Sequence, residues 1–170
     1  MKFLKAFLVV TLLLISGLLL IGVFVPEVDD EFETTINKPV MQVYASLVNL
    51  NQAPKWVGGL DSVHQTSGFL AMPGSEFALY YSGTETNVVY TLEVLKIVPM
   101  ESVQFRLYNE MFEFVVSVKF EADGMSTIMD TYVQIKGQDL ITRSFLPLLK
   151  SSIMEVGKDN FKAFKQLQEQ

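Results

Sequence analysis

The sequence predicts an α+β protein: a curved antiparallel sheet of about seven strands wrapped on a long C-terminal helix, preceded by one transmembrane helix. Three observations carry this. An uncharged apolar run, Ala6–Val25, lies near the start of the chain. Period-two alternation fills most of residues 60–136, and helical spacing takes over from Asp139.

The apolar run is 20 residues long. At about 1.5 Å per residue it matches the ~30 Å hydrocarbon core of a bilayer. Lys2 and Lys5 precede it, and Glu27, Asp29, Asp30, Glu31 and Glu33 follow Pro26. The positive-inside tendency then places the N-terminus in the cytoplasm and the following domain outside it, in the periplasm if the source is bacterial. The rival reading is a cleaved signal peptide, whose apolar stretch runs about 7–15 residues and ends at an A-x-A-like site. This run is longer, and no such triplet follows it. A lipoprotein route needs a cysteine, and the chain has none. A soluble core helix of this composition has no polar face to turn to water. The expected division is therefore an anchor over 1–26 and a single domain over 27–170, long enough for a sizeable core.

Charge and composition remove several function classes. Lys2 and Lys5 fall in the anchor, so residues 27–170 hold 11 basic and 19 acidic residues, a formal charge of −8. Such a balance argues against a nucleic-acid surface and against a domain held flat on anionic lipid. Zero cysteines exclude disulfides, thiol catalysis and Cys-ligated metals.

Within the domain, an acidic linker over 28–33 runs into a strand over Glu31–Asn37, where Phe32, Thr34 and Ile36 alternate with Glu33 and Thr35. Asn37 is the expected N-cap region of a helix with Pro39 in its first turn, and Val40, Val43, Tyr44, Leu47 and Val48 give that helix an apolar face. Asn49–Pro54 ends it, and a further helical turn over Ala53–Val57 closes at Gly58-Gly59. Strands follow at Ser62–Ser67, Glu76–Tyr81, Val88–Val98, Ser102–Tyr108, Phe112–Glu121 and Ser126–Lys136. Turns at Met72-Pro-Gly74, Ser82-Gly83, Pro99, Asn109-Glu110 and Asp123-Gly124 separate them, and Leu95-Lys96 marks a bulge. From Asp139, Phe145, Leu149, Ser152, Ile153, Val156, Asn160, Phe161, Phe164 and Leu167 form one stripe, with Pro147 expected in the first turn or at a kink. A mostly antiparallel sheet with one apolar face must cover it, and this helix alone has the length and the stripe to do so.

This order resembles the START-related helix-grip superfamily, in its polyketide cyclase/dehydrase-like branch, over about residues 28–168. The opening strand ends in Thr35-Ile-Asn-Lys-Pro-Val40, like that family's lead into its first helix, and Lys55-Trp56-Val57 supplies the tryptophan that follows the helix. Val63 and Gly68 sit where members have a strand and turn, and Asp123-Gly-Met-Ser-Thr127 resembles the family's hairpin, with Met125 and Ser126 as departures. Phe161, Phe164 and Leu167 match the close of the final helix. The superfamily holds lipid and sterol carriers, ubiquinone-binding proteins, hormone receptors and aromatase/cyclases. The resemblance therefore implies a cavity between sheet and helix and a hydrophobic small molecule as partner.

The residues offer little for catalysis. His64 is the sole histidine, on a strand phase that faces solvent, so no metal site of familiar spacing exists and no cofactor is expected. No G-x-S-x-G elbow is present. Glu31, Glu33, Glu85, Glu93, Glu113, Glu121 and Asp130 take the outward phase of their strands or lie in turns, as does Arg106, so no catalytic residue is assigned. The inward phase is aromatic. Phe77, Tyr81, Tyr90, Phe105 and Phe114, with Trp56, Met129, Leu149 and Ile153, are the expected cavity lining, Tyr81 and Tyr90 adding polar tips. The expectation is a non-catalytic, membrane-tethered binder of a lipid, isoprenoid or quinone-like molecule. A cyclase- or hydrolase-type enzyme using the same cavity and an interaction module with a filled core are the alternatives. For the module, Leu140-Ile141 and Phe145-Leu146 are the docking candidates. The sequence names no protein partner.

Overall fold

The computed structural model describes residues 2–69, 72–82 and 88–170. In order they form α1 (Lys2–Phe24), β1 (Glu27–Ile36), α2 (Val40–Val48), a 3-10 turn (Leu50–Lys55), β2 (Leu60–Ser67), β3 (Glu76–Tyr81), β4 (Val88–Val98), β5 (Ser102–Tyr108), β6 (Phe112–Asp123), β7 (Ser126–Gly137) and α3 (Leu140–Gln168). The strands make one antiparallel seven-stranded sheet, β1-β7-β6-β5-β4-β3-β2. Strands β2 to β7 follow one another as neighbours, and β1 closes against β7. The helix α2 and the 3-10 turn therefore carry the chain from one sheet edge to the other. The helix α3 lies over β1 and β7.

The first strand begins at Glu27, so the acidic stretch read as a linker is part of the sheet. Its register with β7 runs unbroken from Glu27↔Lys136 to Ile36↔Thr127. Glu27, Asp29, Glu31 and Glu33 face solvent while Val28 and Ile36 are buried. Asp30 takes an inward phase and is carried there by α3: Lys158 Nζ donates to its carboxylate at 2.7 Å. That hydrogen bond, against some desolvation, holds the Asp30 carboxyl below its ordinary value.

Other boundaries move for local reasons. Pro39, not Asn37, is the N-cap of α2, and no side chain caps it. The backbone N–H of Asn37 donates instead to Glu169 at 2.9 Å, and Thr127 donates its hydroxyl to the Lys38 carbonyl at 2.7 Å. The turn after α2 starts at Leu50 rather than Ala53. Asp123 stays in the β6–β7 ladder opposite Ser126, so Gly124-Met125 makes the two-residue turn, with φ of 61° at Gly124. The bulge read from Leu95-Lys96 falls between Val94 and Lys96. Gly83 and Glu85 lie outside the described residues.

Asp139 caps α3. Its carboxylate accepts from the N–H groups of Ile141 (2.8 Å) and Thr142 (3.0 Å), and the Thr142 hydroxyl accepts from the Asp139 N–H at 3.2 Å. Pro147 is inside the helix, beyond the first turn, where it leaves the Arg143 carbonyl without its usual donor. The Thr142 N–H, more than any other contact, lowers the Asp139 pKa below 3.8. A lowered carboxylate contributes stability above its unfolded pKa and loses it as pH falls through the folded one. Between about pH 6 and pH 3, thermal melts should therefore shift down less for Asp139→Asn, which keeps the acceptor without the charge, than for the parent protein. Equal shifts would show that the cap does not contribute to acid sensitivity.

The face that α3 turns inward carries Thr142, Leu146, Met154, Phe161 and Phe164. Phe161 and Phe164 join Ile36, Val43, Leu47, Phe77, Val94, Val103, Phe105, Val118 and Met129 in the main core. Leu146 and Met154 form a second cluster with Val28 and Ile135. Phe145, Leu149 and Val156, read on the inward stripe, are 43, 42 and 58% exposed. One unbroken stripe does not fit the first half of the helix, where the neighbouring positions 146 and 154 take the core.

Candidate functional site

The concave face of the sheet has two zones. Under α2, the 3-10 turn and the C-terminal half of α3, its side chains are packed shut. Toward the other end Val28 and Ile135 are buried under α3, while the inward side chains of β3 to β6 stay half-buried. The strand directions define that end: it holds the start of β1, the end of β7, the start of β6, the end of β5, the start of β4 and the end of β3. It is also where α1 joins β1 and where α3 begins.

A row of aromatic rings crosses this end. Phe112 and Phe114 lie 6.2 Å apart between centroids, Phe114 and Tyr90 6.1 Å, and Tyr90 and Tyr81 5.7 Å. Tyr90–Phe114 and Tyr81–Tyr90 meet edge to face, the favoured arrangement for such rings. All four are half-buried, as are Leu107 and Val116 beside them. Burial, with the neighbouring Tyr90 adding to it, pushes the Tyr81 phenol up to about 12. Burial also raises the Tyr90 phenol, against a hydrogen bond with Asn109. Both hydroxyls are therefore neutral at physiological pH and present a donor and an acceptor rather than a charge.

The structure distributes the nine expected lining residues unevenly. Tyr81, Tyr90 and Phe114 are brought together in the row. Trp56 stands apart, its ring 5.1 Å from Phe164 and 6.0 Å from Phe161. Phe77, Phe105 and Met129 are closed into the core at 3, 7 and 0% exposure. Ile153 packs on the second cluster, while Leu149 opens outward. Phe112 completes the row without having been among the nine, although its alternation with Phe114 and Val116 marks it as inward. Among the described residues, the buried polar atoms Trp56 Nε1 and Thr131 Oγ1 have no hydrogen-bond partner.

Two open recesses, about 420 and 310 Å³, lie on the outer face of the sheet. Glu31, Glu33, Lys119, Asp130 and Tyr132 line the first, and Asp61, Ser62, His64 and Tyr80 the second. Neither lies between sheet and α3, where the expected pocket belongs. His64, Arg106 and Glu93 are on this outer side as well. His64 is exposed opposite Ala78, its ring 5.5 Å from that of Tyr80. Arg106 pairs with Glu93 on the adjacent strand, and that hydrogen bond raises its pKa. Among the described residues, no group of three His, Asp or Glu side chains converges as a metal site.

A seven-stranded antiparallel sheet closed on a long C-terminal helix defines the helix-grip class of α+β proteins, and the solved structures this chain resembles have that fold. Ara h 8.0201 superposes with a TM-score of 0.67 at 14% identity, over 83% of this chain and 97% of its own. Major latex-like protein 151 from Panax ginseng gives 0.63 at 15% identity, over 84 and 98%. The di-domain ARO/CYC StfQ from the steffimycin biosynthetic pathway gives 0.64 at 10% identity, over 84% of this chain and 51% of that one. No family model and no curated protein matches the sequence. The START-related likeness read from the sequence is therefore a likeness of fold, and function has to be argued from the site.

Proposed function

We propose that this chain is a non-catalytic, membrane-tethered binding protein for a hydrophobic small molecule of lipid, isoprenoid or quinone-like kind. The observation that carries it is the half-buried row Phe112–Phe114–Tyr90–Tyr81, an uncharged aromatic surface on the concave face at the end where α1 emerges. Apolar side chains left half-open on an inner face gain from a ligand that removes the remaining surface from water, about 25 cal/mol per Å². Two neutral phenols would orient a carbonyl or hydroxyl on that ligand. The helix α1 is apolar over Phe3–Phe24 with 6% of its most apolar stretch buried, and is long enough to cross a bilayer. Such a tether would keep the concave face beside the phase in which these ligands dissolve, with the N-terminus cytoplasmic and the domain outside.

Native mass spectrometry of the full chain released from detergent tests this. A retained apolar adduct is expected, and it should be lost in Phe114→Asp, which sets a charge in the middle of the row. Phe114 is half-buried, so circular dichroism should still report the folded sheet. A folded parent protein that carries no adduct, and binds neither phospholipid nor ubiquinone on addition, would overturn the reading.

A further inference from the structure

We propose that the first turns of α3 form a second membrane contact: Ile141, Phe145 and Leu148 lie in the boundary between headgroups and acyl chains, beside the point where α1 leaves the bilayer. This rests on the reading of α1 as a membrane anchor and adds a surface that reading does not require.

The first argument is depth. Gly22 of α1 packs directly on α3. A Cβ at that position would lie 2.7 Å from the Ser144 backbone nitrogen and 2.8 Å from the Leu140 carbonyl oxygen. Ser144 is fully buried, and its hydroxyl donates to the Leu140 carbonyl at 2.7 Å. Gly22 is two residues from the end of α1, about 3 Å along the helix axis. The turn of α3 that contains Leu140 and Ser144 is therefore level with the last apolar turn of the anchor. Only Val25 and Pro26 separate α1 from β1, a reach of about 7 Å, so the domain has no slack with which to lift away.

The second argument is the outward stripe of α3. Read at alternating steps of four and three, it runs Ile141, Phe145, Leu148, then Ser152, Glu155, Asp159 and Lys162. Ile141 and Leu148 are 64 and 66% exposed and Phe145 43%. The same face is thus apolar for its first two turns and polar for the rest. A face meant for docking a protein along the helix has no reason to change character at that point. A face crossing from the acyl boundary into water does.

The charged residues at the start of α3, Asp139 and Arg143, are engaged within the protein. Arg143 donates from Nε to the Gly137 carbonyl at 2.9 Å, back along the end of β7. Asp139 is engaged with the first N–H groups of its own helix. The charge of Lys150 adds, as the smallest of several causes, to the lowering of the Asp30 pKa. With a domain charge of −8, apolar insertion rather than attraction to anionic lipid supplies the contact. The geometry also sets the aromatic row at the bilayer-facing end of the domain, so a ligand would pass from membrane to site without crossing water.

The absence of cysteine allows single-site spin labelling without background. Nitroxides are attached to Val10→Cys, Ile141→Cys, Leu148→Cys, Glu155→Cys and Met125→Cys in the full chain, reconstituted in phosphatidylcholine vesicles. Collision with oxygen and with an aqueous nickel chelate is measured at each. Labels at 10, 141 and 148 should lose access to nickel while keeping access to oxygen. Labels at 155 and 125 should stay open to nickel, and adding phosphatidylserine or salt should leave the pattern unchanged. Nickel access at 141 and 148 with position 10 protected overturns the proposal and leaves the anchor standing. Nickel access at position 10 overturns the anchor and the proposal with it. Protection at 141 and 148 that disappears in high salt overturns the apolar mechanism.

Discussion

Phe164→Ala is expected to cost about 3–5 kcal/mol, lowering the thermal midpoint of the domain by roughly 10–20 °C. Phe164 is fully buried and is the largest such side chain. Its ring meets Trp56 edge-on at 5.1 Å, and it belongs to the cluster that joins α3 to α2 and the inner face of the sheet. Truncation therefore removes the transfer free energy of a phenyl ring and leaves a cavity that two layers of structure must collapse to fill. Trp56 is the sole tryptophan, so its emission reports the loss directly, moving to longer wavelength as water reaches the indole. Leu149→Ala on the same helix is the control. Leu149 is 42% exposed, and its truncation should stay within about 1 kcal/mol. Similar losses for the two variants would mean that α3 is not clamped at its C-terminal half in the way these contacts require.

That contrast also marks where sequence reading works and where it stops. Strands β3 to β5 sit at their expected residues, because their inward positions are uniformly apolar and Gly, Pro and Asn close their ends. The start of β1 does not announce itself. Glu27, Asp29, Glu31 and Glu33 are residues that strands usually disfavour, and Asp30 takes an inward position that alternation assigns to an apolar side chain. The partner that meets its charge there is Lys158, 128 residues further on, and no local pattern contains it. The phase of α3 fails for a related reason. A helix flanked by two apolar environments, a core on one side and α1 on another, carries apolar residues around most of its girth in the first half. Periodicity then has no single face to find. The site follows the same logic. Which residues point inward is legible from alternation, but which inward residues are sealed and which stay half-open depends on how far α2 and α3 reach across the sheet. Phe105 and Phe114 read alike in sequence, yet Phe105 is 7% exposed and Phe114 half-buried.

Gly22→Leu should break the contact between α1 and α3 while leaving the domain folded. The glycine permits backbone-to-backbone approach at Ser144 and Leu140, the small-residue packing that lets helices associate where water offers no driving force. A leucine side chain there meets backbone atoms on α3, which cannot rotate away, so the helices must separate. Overpacking of this kind costs about 1–3 kcal/mol, and here the cost falls on the interface alone, since none of the core residues of either cluster belongs to α1. The domain melt should therefore move little. If α1 spans a bilayer as proposed, the nitroxide at Leu148→Cys should regain access to nickel, because the turn that carries it is no longer held level with the end of α1. On the proposed reading of α1 as a membrane anchor, the label at Val10→Cys should stay protected, because the rest of α1 is untouched. Gly22→Ala should give an intermediate result, since its single methyl already falls inside the closest distances that Cβ atoms show. If Gly22→Leu leaves the Leu148→Cys label fully protected, the apolar stripe holds its own depth without α1. If the label at Val10→Cys becomes exposed together with it, the packing on α3 is what keeps α1 inserted. The two sites thus separate a domain held down by its tether from a tether steadied by its domain.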